Sequence, residues 1–78
     1  MAQAPTVGRI VHVFTKDPER QYNGMGEGPY AAIITQVFTD RCINARVIPS
    51  FGDVWETASI LSFPGANQWW AWPDRAPA

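Results

Sequence analysis

Turn-forming residues divide this chain into five short segments that are rich in β-branched and aromatic residues. Such residues favour β-strands, and glycine, proline, asparagine and aspartate between the segments are typical of turns. The pattern predicts an all-β fold, namely a small five-stranded barrel of the SH3-like or a similar partly open kind. The predicted strands cover residues 7–15, 30–39, 42–48, 54–61 and 68–72.

Alternation along the third predicted strand separates a core face from a solvent face. Ile43, Ala45 and Val47 are predicted to point inward, whereas Asn44 and Arg46 point outward. The second and third strands are predicted to form a hairpin, because only a short turn separates them.

One β domain is predicted between two short terminal segments. The parts are a flexible arm (1–5), a single domain (6–73) and a tail (74–78). A long loop, residues 16–29, separates the first two strands; it is either a binding loop or a solvated excursion. Residues 54–61 also fit a short helix capped by Asp53, but the flanking turns favour a strand.

Length and cysteine content point to self-association. The chain has 78 residues and one cysteine, Cys42. A domain of this size buries about 60–65 % of its unfolded surface and is only modestly stable alone. One cysteine cannot form an internal disulfide, and one cysteine with one histidine does not match a zinc site. We therefore predict a homo-oligomer without metal or cofactor.

Charge and hydropathy disfavour several classes of partner. The net charge is -1 and no basic block is present, so generic nucleic-acid binding is disfavoured. No apolar run approaches the roughly 20 residues of a membrane span, and no signal-peptide pattern opens the chain. A cytoplasmic protein is predicted. No spacing pairs a nucleophile with a base, so an enzyme is disfavoured.

Three of the four tryptophans lie within residues 68–73. In a strand, Trp70 and Trp72 share one face and Trp69 takes the other. Each buried tryptophan contributes about 200 Å² of apolar area. At least one is therefore predicted to be core, and the others can form either an oligomer interface or a ligand platform.

Six segments of the chain form a recognisable series, namely residues 8–12, 29–34, 37–38, 54–55, 57–59 and 70–73. In this order they resemble a group of small bacteriophage proteins, which has a GRIVHY start, a YPA-like second strand, a W-A-T-S segment and a W-H-W-P end. The chain departs from that group at Val13, at residues 56–58 and at Ala71, where histidine is common.

The resemblance implies a phage origin and two functions that such proteins commonly have. One is a non-catalytic, oligomeric sponge that sequesters a nucleotide-type immune signal in the host cytoplasm. The alternative is a virion-associated or host-factor-binding SH3-like module for protein interaction.

Eight residues are candidates for ligand contact: Arg9, His12, Tyr30, Arg46, Phe51, Trp55, Trp70 and Trp72. The arginines are predicted to bind phosphate, and solvated or ion-paired positions are the alternative. The aromatic rings are predicted to stack on bases, with core packing as the alternative. The histidine is predicted to read a base edge or a hydroxyl, unless it is a core or interface residue.

Overall fold

The computed structural model describes residues 4–21 and 26–73, which form five β-strands and no helix. The all-β prediction is confirmed, and the ambiguous fourth segment is a strand. Parts of the predicted arm, first loop and tail lie outside the described residues, at 1–3, 22–25 and 74–78. The strands are β1 (Ile10–Thr15), β2 (Tyr30–Val37), β3 (Cys42–Ile48), β4 (Trp55–Leu61) and β5 (Gln68–Ala71).

The strands follow one another around a closed barrel, in which β5 lies between β4 and β1. All neighbours pair antiparallel except β4 and β5, which are parallel and meet at Leu61 and Trp69. The predicted small barrel is confirmed, and it is closed instead of partly open. Closure protects the sheet edges of the described strands, because β5 pairs on both of its sides.

Alternate strand residues fill the barrel. Ile43, Ala45 and Val47 are buried, as the alternation in β3 predicts. The Trp70 ring spans the interior, and its indole N–H donates to the backbone oxygen of Arg41 at 2.7 Å. Two small alanines, Ala32 and Ala45, belong to the same buried cluster as the large rings of Tyr30 and Trp70. The buried cluster comprises Val11, Val13, Tyr30, Ala32, Ile34, Ile43, Ala45, Val47, Ile60 and Trp70.

Two β-bulges lie on either side of Asn44 in β3. Thr35 is an extra residue in β2, and β4 places both Ala58 and Ser59 opposite Asn44. Ser59 has a left-handed backbone, with φ of 54°, which is uncommon outside glycine. The Asn44 side-chain oxygen accepts the Ser59 N–H at 2.8 Å. Its amide nitrogen donates to Gln36 at 3.4 Å, so one side chain links both bulged strands.

The loop between β1 and β2 is attached to the barrel where it leaves β1. The Thr15 N–H donates to the Glu27 oxygen at 3.0 Å, which joins the two ends of the loop. The Gln21 side chain donates to the Thr15 oxygen at 2.9 Å. The Lys16 N–H donates to the Asn67 oxygen at 2.8 Å, which connects the loop to the segment before β5.

Candidate functional site

Two of the eight candidate residues belong to the core. Tyr30 is 1 % exposed and Trp70 is 2 % exposed. The Tyr30 hydroxyl donates to the backbone oxygen of Gly26 at 2.7 Å, and the Trp70 indole is held by Arg41. Their rings cannot stack on a ligand while they are buried in this way, so the core alternative describes both residues.

Trp72 shares a face with Trp70, as predicted, and lies at the border of the core. It is partly buried and meets the Trp70 ring edge to face, with centroids 5.3 Å apart. The guanidinium carbon of Arg9 lies 5.3 Å from the Trp72 ring centroid. Two predicted site residues, from opposite ends of the described chain, are therefore in contact.

Trp69 lies on the side of β5 opposite to Trp70 and is also buried, at 8 % exposed. Its ring stacks on Phe14 of β1, with centroids 5.1 Å apart and planes 5° from parallel. The Lys16 ammonium lies 5.5 Å from the Trp69 centroid. Trp69 is not among the eight candidates, and its contact with Phe14 could not be predicted, because the β1–β5 pairing that creates it joins residues about 55 positions apart.

Trp55 lies at the start of β4, where it is partly buried and packs against the core, in line with the core alternative. The guanidinium carbon of Arg20 is 4.8 Å from its ring centroid. The Trp55 indole nitrogen is buried and has no hydrogen-bond acceptor among the described residues. Phe51, in the preceding turn, is 83 % exposed, so its ring is open to a ligand or a protein partner.

Three of the four tryptophans thus carry a cation over the ring. The cations are Arg9, Lys16 and Arg20, which are half of the six lysines and arginines in the chain. Each of the three contacts in this chain joins an aromatic plane to a positive charge within the distance over which a cation attracts an aromatic ring.

His12 lies on the outer side of β1 between two alanines. Its register partners are Ala31 in β2 and Ala71 in β5, and the imidazole is half-buried. Neither Arg46 nor Trp55 is its neighbour in the pairing of strands. The fold therefore does not gather the predicted polar residues around this histidine.

An open pocket of about 350 Å³ lies on the outer surface of β2, β3 and β4, beside the two bulges. Its wall contains a guanidinium and a carboxylate, because Arg46 and Glu56 are cross-strand partners that form an ion pair. Thr57 at its base is buried and donates to Gln68 of β5 at 2.5 Å. The lining residues are Thr35, Asn44, Ala45, Arg46, Glu56, Thr57 and Ala58.

Among residues 4–21 and 26–73, no three histidine, cysteine, aspartate or glutamate side chains lie close enough together to hold a metal ion. None of the described segments is a helix of the length and apolarity that a membrane crossing requires. Comparison of the chain with protein-family models, curated proteins and solved structures gave no match. The functional assignment therefore rests on the geometry of the site.

Proposed function

We propose that this chain is a phage-encoded, non-catalytic binding protein that sequesters a nucleotide-type immune signal of the bacterial host. The observation that carries the proposal is the contact of Arg9 with Trp72 and of Arg20 with Trp55, the two cation–indole pairs whose rings are only partly buried. A nucleotide presents a planar base and an anionic phosphate a few ångströms apart. An indole with an adjacent cation offers a surface for the first and a charge for the second.

A protein that sequesters a ligand has only to bind it tightly, because no catalytic step is required. Base–aromatic stacking contributes about 1–3 kcal/mol for each base. A charge-assisted hydrogen bond to phosphate contributes about 1.5–3 kcal/mol. Two such contacts of each kind contribute about 5–12 kcal/mol before the cost of ordering the ligand is subtracted, and micromolar binding corresponds to about 8 kcal/mol net, so both kinds of contact are needed.

Calorimetric titration of the full chain with cyclic dinucleotides, cyclic trinucleotides and ADP-ribose derivatives tests the proposal. We expect one class to bind at micromolar concentration and to be recovered chemically intact. Arg9→Gln or Arg20→Gln is expected to weaken binding about tenfold, the loss of one charge-assisted contact. Arg41→Gln, which removes the same charge from the β2–β3 connection, should leave affinity unchanged. Absence of binding by the wild-type chain across the panel contradicts the proposal.

We also propose that a second copy of this chain covers the outer face of β1, β2 and β3. Ile10 lies directly opposite Ile33, and Ala31 lies directly opposite Ile48, so the four form one apolar patch. Ile10 is 52 % exposed and Ile48 is 41 % exposed. Contiguous exposed apolar side chains of this kind mark interaction surfaces.

The area that a stable dimer needs favours a copy of the same chain as the occupant of this patch. The proposed interface ends at Ile33, because Arg46 and Glu56, which continue the row, form an ion pair with each other and line the open pocket. A standard interface covers about 800 Å² on each partner, roughly one seventh of the 5340 Å² surface of this chain. Burial of that size supplies stability that a single small core lacks.

Sedimentation velocity of the wild-type chain is expected to show twice the 8.7 kDa of one chain. Ile10→Lys and Ile48→Lys should each produce folded monomers, because a lysine ammonium must lose its water at the interface. Phe63→Lys is the matched control, since Phe63 is 58 % exposed in the segment before β5, away from this face. A monomeric wild type would contradict the dimer and favour the alternative, a module that binds a virion or host protein.

A further inference from the structure

We infer that the pocket between the two bulges is a subsite for the sugar–phosphate part of the ligand, with a ribose diol on Glu56 and a phosphate on Arg46. The inference rests on the proposed function and selects the ADP-ribose class of ligand, because each ribose of a cyclic dinucleotide or trinucleotide has one hydroxyl of its diol esterified to phosphate. It uses residues that the three cation–indole pairs do not include.

The pocket brings four kinds of polar group together on one surface. They are the Glu56 carboxylate, the Arg46 guanidinium, the Asn44 amide and the Thr35 hydroxyl. A carboxylate accepts hydrogen bonds from both hydroxyls of a vicinal diol, and a guanidinium binds phosphate through its parallel N–H groups. The Asn44 amide nitrogen has two N–H groups, and its described bond to Gln36 uses one of them.

The charges of the pocket favour a sugar phosphate over a simple anion or cation. Arg46 and Glu56 contact each other, so the wall is neutral overall. A lone phosphate at Arg46 would be repelled by the negative charge of Glu56, and a lone cation at Glu56 would be repelled by the positive charge of Arg46. A ligand with neutral hydroxyls next to an anionic phosphate matches both groups without such repulsion.

The backbone around the pocket is held in shape by the bulges. Thr35 is the extra residue of one bulge, and Ala58 belongs to the other. The left-handed Ser59 is stabilised by the side-chain oxygen of Asn44, which is itself a lining residue. Bulges near binding sites redirect side chains, and a backbone in an uncommon conformation fixes their positions before a ligand arrives.

The size of the pocket limits what it holds. Small-molecule sites have volumes of about 300–1,000 Å³, so 350 Å³ lies at the lower end. A pentose phosphate fits that volume, whereas the base of a nucleotide has to extend beyond it. With about 0.3 kcal/mol for each heavy atom, free ribose 5-phosphate is expected to bind with a dissociation constant near 1 mM.

Titration of the uniformly ¹⁵N-labelled full chain with ribose 5-phosphate, followed by NMR, tests the assignment. We expect saturable shifts at Thr35, Ala58 and the Asn44 side-chain amide. 2-Deoxyribose 5-phosphate, which lacks one hydroxyl of the diol, should bind about tenfold more weakly. Glu56→Gln should abolish that preference, whereas the matched control Glu19→Gln, in the exposed first loop, should retain it.

Other outcomes separate the pocket from the proposed function. If ADP-ribose, which has free ribose diols, binds but shifts only the indole N–H resonances of Trp55 and Trp72, sequestration stands and the pocket assignment fails. Equal binding of ribose and deoxyribose phosphates overturns the role of Glu56. If neither sugar phosphates nor nucleotides change any resonance, both proposals fail. Binding of ribose 5-phosphate at the pocket without any nucleotide binding would keep the subsite and overturn the nucleotide ligand.

Discussion

Replacing Trp70 with alanine is expected to lower the free energy of unfolding by about 3–5 kcal/mol. The ring is 2 % exposed, and its loss leaves a large cavity in the buried cluster. The Arg41 oxygen also loses its indole donor. A single core in a chain this short supplies about 3–5 kcal/mol in total, so the variant should be largely unfolded at room temperature. Near-UV circular dichroism and urea denaturation measure the change.

Trp72→Ala is the matched control, because it removes the same ring from the same face two residues later. Trp72 is only partly buried against the core, so we expect a smaller loss of stability, about 1–2 kcal/mol, and a folded protein. If the two variants lose the same stability, the division of the tryptophans between core and surface is wrong. Trp72→Ala should also weaken ligand binding, since it removes the indole that lies beneath Arg9.

Gly28→Ala is expected to lower the free energy of unfolding by about 1–3 kcal/mol. Gly28 has φ of 131°, a conformation that residues with a Cβ rarely adopt. An added Cβ would lie 3.0 Å from the backbone oxygen of Val13 and 3.2 Å from the Tyr30 ring. Both neighbours belong to the core, so neither can move without disturbing it. Urea denaturation monitored by tryptophan fluorescence measures the effect.

Gly26→Ala provides the comparison for Gly28. Gly26 also has a positive φ, 57°, but an added Cβ would have no atom within 4 Å. Its φ lies in the left-handed helical region, which other residues reach at a cost of about 1–2 kcal/mol. We therefore expect Gly28→Ala to be the more harmful change. The reverse order would show that contact with the core at Gly28 is unimportant.

The strands of this protein could be predicted from local sequence. β3 is confirmed at its predicted bounds, and β4 is a strand although residues 54–61 also fit a helix. The inward positions of Ile43, Ala45 and Val47 follow from alternation alone. Strand bounds and inward positions both depend on residues that are only a few positions apart, so the hydrophobic period of a short segment is enough to predict them.

The candidate site could be predicted only in part. Residue type alone predicts Arg9, Trp55 and Trp72 as candidates. The contact of Arg9 with Trp72, and that of Arg20 with Trp55, could not be predicted, because each depends on which strands meet. Tyr30 and Trp70 were named as ligand residues and lie in the core, because the inward face of a strand is set by its neighbours.

The sequence by itself determined the number of strands, their approximate bounds and the alternation that builds the core, because these depend on short-range steric preference and hydrophobic period. Tertiary structure alone decided the closure of the barrel, the bulges beside Asn44, and the contact of Arg46 with Glu56. These features arise from register between strands that are distant in the chain. Register depends on how all inward side chains fill the barrel together, and no single segment contains that information.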